Sequence, residues 1–307
     1  MVVRAKRKLT NKRIKRCNRN TRRKLRKQRK YYKIIGGYDK ITRGGSGPIT
    51  HKEGLKSAVV YNLDSMSGFF SVYRHLLFTY LYAKKINVPF FIQHDNWQYT
   101  YKDGWHDYFK SLNVLNKEEH FDFIELFNTD DTIARIISKN MFNHNDLIQA
   151  VKETFILQDH IQASIDTYIK EIGGEYTSIY VRRGDKVTER TLVPLDVILA
   201  QTTIKDDGRT IFVQTDDYNI VKDMRSRFPS CKIMTLTPET ALGANNPTML
   251  DWAPEQRKKE TENLLISCVV TARANIGWSY NQSNVGYFIK LLGDDKIHMY
   301  EDAVPSK

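Results

Sequence analysis

Cysteine is scarce: Cys17, Cys231 and Cys268 are the three in 307 residues. An odd count without metal-binding spacing argues against a disulfide framework and for a reducing compartment. No apolar run reaches the ~18 residues of a membrane span, and the basic N-terminus lacks the apolar stretch of a signal peptide. The expectation is a soluble, cytoplasmic protein. Neither an Asp-x-Asp pair nor a His/Asp/Glu cluster at ligand spacing occurs, so no divalent metal is implied. Acids are almost missing from residues 1–43, which hold Asp39 alone beside 19 of the 48 Lys and Arg. The rest of the chain has 29 bases against 34 acids, a net −5, although the whole chain carries +13. The basic character therefore belongs to a tail, and the body is mildly acidic.

The tail is also poor in large apolar residues, a composition expected to be disordered alone. It suits nucleic acid, another polyanion such as an acidic membrane surface, or a nuclear import receptor. It equally suits a solubilising extension without a specific partner. Gly36-Gly37 and Gly44-Gly45-Ser46-Gly47-Pro48 form a hinge between tail and body.

The body alternates strand-like and helix-like patterns, which predicts α/β layering. Strands are expected at Ser57–Leu63, Val88–Gln93 and Phe121–Leu126, with a helix over Phe69–Lys85. Helical patterns around Asp131–Ser138 and Asn145–Ile172 lead to Gly173-Gly174, a domain boundary. The second half is cleaner. Strands at Ser178–Arg182, Thr210–Gln214, Lys232–Leu236 and Ala274–Trp278 alternate with helices opened by Pro194, over Tyr218–Phe228, over Pro254–Thr271 and over Ser283–Leu292. The pattern predicts two Rossmann-like halves with a ligand in the cleft between them.

The strongest chemical signal is Ser178-Ile179-Tyr180-Val181-Arg182-Arg183-Gly184-Asp185-Lys186. A core strand has no use for two guanidinium groups at its carboxyl end. Ligands of α/β sheets bind beyond that end, and arginine forks fit phosphate oxygens. The alternative is an ordinary salt-bridge cluster. Asp216 and Asp217 end the next strand, where carboxylates can accept from ribose hydroxyls or simply cap the following helix. Ser283 and Asn284 open a helix after the last strand, a phosphate cradle or a plain cap. Glu262 could take the two N–H donors of a guanine edge, or be a solvated charge beside Lys258 and Lys259. Trp97, Tyr99 and Trp105 crowd a polar loop, suiting either sugar stacking or local packing.

These blocks, in this order over residues 56–300, resemble the fucosyltransferase superfamily of α1,6-, protein-O- and nodulation-factor enzymes. The most specific piece is Val181-Arg182-Arg183-Gly184-Asp185-Lys186-Val187-Thr188-Glu189, similar to the family's His-Val-Arg-Arg-x-Asp-Lys block. Asp216-Asp217, Ser283–Gly286, and Trp97, Tyr99, Gly104 and Trp105 resemble its other blocks. Departures are Tyr180 in place of histidine, a Lys186-to-Glu189 spacing one residue short, and a single glycine, Gly68, in the first-strand loop. After the basic tail at 1–43, the resemblance implies a GT-B fold with an acceptor-side domain at 44–173 and a GDP-sugar-binding domain at 174–307. It implies metal-independent, inverting transfer of L-fucose from a GDP-sugar to a glycan or glycoprotein. Arg182 and Arg183 would hold the diphosphate, with Ser283 and Asn284 at the phosphates. Asp216 and Asp217 would lie near the nucleotide and Glu262 on guanine. Glu189 would be the general base, tuned by Lys186, and Trp97, Tyr99 and Trp105 would line the acceptor side. The competing expectation is a nucleic-acid-binding protein working through its tail, with a degenerate transferase-like body.

Overall fold

The computed structural model describes residues 56–116, 119–184, 193–243 and 251–301. The expectations for the tail at 1–43 and for Lys186 and Glu189 therefore lie outside the described residues.

Two parallel sheets form. The first contains β1 (Ser57–Asn62), β2 (Phe90–Gln93), β3 (Asn113–Val114) and β4 (Phe123–Phe127), in the order β3-β2-β1-β4. The helix α1 (Phe69–Lys85) connects β1 to β2, with Lys84 and Lys85 in its last turn, where cations complement the helix dipole. Next come α2 (Thr129–Arg135), α3 (His144–Thr154) and α4 (Asp159–Ile172). The second sheet contains β5 (Tyr176–Val181), β6 (Thr210–Thr215), β7 (Lys232–Met234), β8 (Ile276–Tyr280) and β9 (Ile297–Tyr300) in the order β7-β6-β5-β8-β9. Its helices are α5 (Leu195–Leu199), α6 (Tyr218–Arg227), α7 (Pro254–Arg273) and α8 (Asn284–Gly293). All six residues of β5 are buried, as a central parallel strand covered on both faces requires. This is the α/β layering expected from the sequence. No helix among the described residues is long and apolar enough to cross a membrane.

Both sheets reverse direction next to their first strand. From β1 the chain builds β2 and β3 to one side, then returns to place β4 on the other. From β5 it builds β6 and β7, then returns to place β8 on the far side. At such a reversal two adjacent connections leave in opposite directions and open a crevice beyond the strand ends.

Three local expectations differ from what forms. β3 has two residues and β9 four, too short to leave a pattern. The helical stretch 145–172 is two helices, because residues 156–158 pair with the loop after β2. Lys110 N–H donates to the Ile156 carbonyl at 2.8 Å and Gln158 N–H to that of Tyr108 at 2.9 Å. A tertiary pairing overrides the local helical preference.

One core cluster runs through both halves. Phe288 of α8 stacks on Phe70 of α1 with centroids 4.2 Å apart, and meets Tyr73 at 5.3 Å and Phe155 at 4.8 Å. The helix that follows β8 is thus clasped by helices of the N-terminal half.

Candidate functional site

The carboxyl end of β5 lies at the reversal of the second sheet, and it carries Arg182 and Arg183. Asp216, at the end of neighbouring β6, organises both. Its Oδ2 pairs with the Arg182 guanidinium, and its Oδ1 accepts the Arg183 N–H at 2.7 Å. One carboxylate therefore fixes one arginine's head and the other's backbone. Arg183 is 9% exposed, and its Nη1 donates to the Arg182 carbonyl at 3.2 Å. A cation so enclosed is costly without compensating charge.

A second loop braces this turn. The Asp216 carbonyl accepts the Gly243 N–H at 2.6 Å. Gly243 has φ +101°, and a Cβ there would lie 2.6 Å from the Gly184 Cα. Only glycine allows the two backbones to meet so closely.

On the other side of β5, Ser283 caps α8, its Oγ accepting from Gly286 N–H. A Cβ on Gly286 would sit 2.0 Å from the Tyr280 carbonyl, so the helix start is docked tightly on the end of β8. Ser283 Oγ also lies 3.2 Å from the Tyr180 hydroxyl. Burial pushes the Tyr180 phenol well above its ordinary pKa, so it stays a neutral hydroxyl. Tyr180 thus stands as a wall between the arginine turn and the α8 N-terminus. Asn284, exposed at the first turn, meets Arg74 of α1: Arg74 Nη1 is 3.5 Å from Asn284 Oδ1.

Arg182, Arg183 and Asp216 meet at the ends of β5 and β6, while Ser283, next to Asn284, reaches β5 from the other side through Tyr180. Asp217 caps α6 through Asn219 N–H at 3.0 Å, the capping role weighed against ribose binding. Glu262 is engaged by His160 Nε2 at 2.7 Å and Lys258 Nζ at 2.9 Å, linking α7 to α4.

Trp97, Tyr99 and Trp105 are 4%, 3% and 1% exposed, within an aromatic cluster around Phe69, Tyr108 and Phe109. Rings so enclosed offer no face to a sugar. The acceptor-side expectation for them gives way to packing, and Asp107 shapes their loop by accepting N–H groups from Tyr101, Lys102 and Asp103. In the same loop His94 accepts the Trp105 N–H on Nδ1 at 2.8 Å. Burial lowers its pKa, keeping it neutral with the proton on Nε2. Sequence reasoning passed over His94, Gly243 and Arg74; only a contact across the fold distinguishes them from ordinary loop and helix residues.

Two parallel sheets, each reversing its strand order beside its first strand, with arginines at one of the reversals, make a GT-B-type α/β fold. Solved structures of fucosyltransferases share it. NodZ fucosyltransferase from Bradyrhizobium superposes with a TM-score of 0.52 at 12% identity, covering 76% of this chain and 92% of that one. A point mutant of Arabidopsis thaliana FUT1 in complex with GDP gives 0.51 at 11% over 88% and 74%. POFUT1 in complex with GDP-fucose gives 0.52 at 10% over 81% and 98%. At these identities the likeness is one of fold. The sequence matches no protein-family model, and no curated protein is similar enough to count as a relative.

Proposed function

We propose that the chain is a glycosyltransferase using a GDP-sugar, with L-fucose as the sugar, and that it transfers to a glycan or glycoprotein with inversion. One observation carries this reading: a clamped arginine pair ends the central strand at the sheet's reversal, beside a helix N-terminus. Guanidinium forks and free amides suit the oxygens of a diphosphate. Held there, the same groups stabilise charge growing on the leaving GDP as the bond to the sugar breaks. Inversion also needs a base opposite the leaving group, and the role falls to Glu189, tuned by Lys186. The neighbours solved with GDP or GDP-fucose share the fold that brings such a site together, which supports the donor class. Transfer is expected to continue in EDTA.

The test is calorimetric titration of GDP into the whole protein, with UDP as control. Saturable binding selective for GDP is expected. A folded sample that binds neither nucleotide would sink this reading and turn attention to the basic tail, where binding would fall steeply with salt.

Gly243→Ala probes the brace on the arginine turn. The added methyl meets backbone, which cannot swing aside, and the positive φ adds strain of about 1–3 kcal/mol. GDP affinity should fall roughly tenfold, since ~1.4 kcal/mol corresponds to a factor of ten, with far-ultraviolet circular dichroism unchanged. Unaltered affinity would show that the turn holds its shape without the brace.

A further inference from the structure

We propose that Arg74 of α1 is a third cationic contact for the donor's diphosphate, supplied by the N-terminal half. This rests on the reading above and deepens it. Arg74 is half-buried, and its Nε is fully buried with no hydrogen-bond partner among the described residues. Among the described residues its one polar contact is the 3.5 Å approach to Asn284 Oδ1, at the outer limit for a hydrogen bond. Arg135, Arg182, Arg209, Arg227 and Arg273 each pair with a carboxylate, whereas Arg74, like Arg183, Arg225 and Arg257, pairs with none among the described residues.

Its place makes this stranger. The guanidinium lies over the Tyr287 ring, 4.8 Å from the centroid, beside the first turn of α8. A helix N-terminus carries partial positive charge, so a cation there is at the unfavourable end. The ring face fixes the guanidinium by cation–π attraction, but attraction to a ring does not neutralise it. Two positive elements held together by packing become favourable when an anion sits between them. Asn284, Arg74's neighbour, follows Ser283, whose hydroxyl meets Tyr180, and Tyr180 precedes the arginine turn by two residues. An anion at the α8 amides would therefore meet the Arg74 guanidinium beside that helix's first turn. Stacking occupies the guanidinium's face and leaves its N–H edge for phosphate oxygens. Sequence alone hides this, because a single arginine in an apolar helix reads as its solvent side.

The test compares wild type with Arg74→Gln and Arg74→Lys in the whole protein, titrating GDP, guanosine and inorganic pyrophosphate. Arg74→Gln keeps a polar side chain of part of the length and removes the charge. It should weaken GDP and pyrophosphate about tenfold or more, as loss of a charge-assisted bond does, and leave guanosine unchanged. Arg74→Lys should recover part of the loss, since the charge returns without the fork. Wild-type GDP binding that Arg74→Gln leaves intact would overturn the role of Arg74 while the donor class stands. An equal loss for guanosine would also overturn it, making Arg74 a packing residue. A wild type that binds neither GDP nor pyrophosphate would sink both readings.

Discussion

Arg183→Ala is expected to weaken GDP binding by a hundredfold or more and leave the fold intact. The guanidinium is nearly enclosed at the end of β5, its backbone N–H is held by Asp216, and a carbonyl takes one of its N–H groups. Charge-assisted hydrogen bonds contribute about 1.5–3 kcal/mol each. A fork giving two of them to phosphate oxygens is therefore worth roughly 3 kcal/mol, or about two powers of ten in affinity. Arg183→Lys keeps a charge but offers a point in place of a planar fork, and should recover only a fraction. Removing a buried cation also relieves its desolvation, so melting temperature should hold or rise. Calorimetry with GDP and a thermal melt on the same sample read both effects. An alanine variant that binds GDP like wild type would place the nucleotide elsewhere in the molecule.

The second large effect is on stability. Phe288→Ala removes the ring on which Phe70, Tyr73 and Phe155 converge, at a site 3% exposed. Truncating a phenylalanine in such a core costs about 3–5 kcal/mol. For a chain of this size the melting temperature should fall by on the order of 10 °C. Because one cluster serves both sheets, both halves should loosen in the same transition. A variant melting like wild type would show that this seam does not bind the halves. Two separated transitions would show that Phe288 couples them rather than supporting either.

What the sequence disclosed follows from where the information lies. α1 forms over Phe69–Lys85 as its pattern predicts, because a long helix buried on several sides keeps its apolar positions in every turn. β5 and its arginines were legible for the opposite reason: charge at the end of an apolar strand breaks a pattern that packing alone would continue. Ser283 and Asp217 could be read as caps, and both caps form, yet nothing local tells a cap from a cap that also holds a ligand. The tryptophans could be read either as a sugar platform or as local packing, and no local signal decides between the two. Their polar neighbours suggested an open loop, whereas the structure folds that loop over the rings and ties it down through Asp107. The gap between α3 and α4 was hidden because its cause, the pairing of residues 156–158 with residues 108–110, is distant in sequence. Arg74 and Gly243 act through residues far along the chain, so no window of sequence could single them out.

The clasp of α8 by α1 and α3 also decides how the crevice can admit a ligand. Were the two sheets to swing apart as rigid bodies, the Phe70–Phe288 stack would be pulled open and apolar surface exposed, at about 25 cal/mol for each Å². A wide hinge is thus expensive here. On the proposed function, donor and product would come and go without parting α8 from α1. Turnover on that reading would proceed with both sheets held as one body, so a substitution that loosens the α1–α8 seam would change stability before it changed affinity.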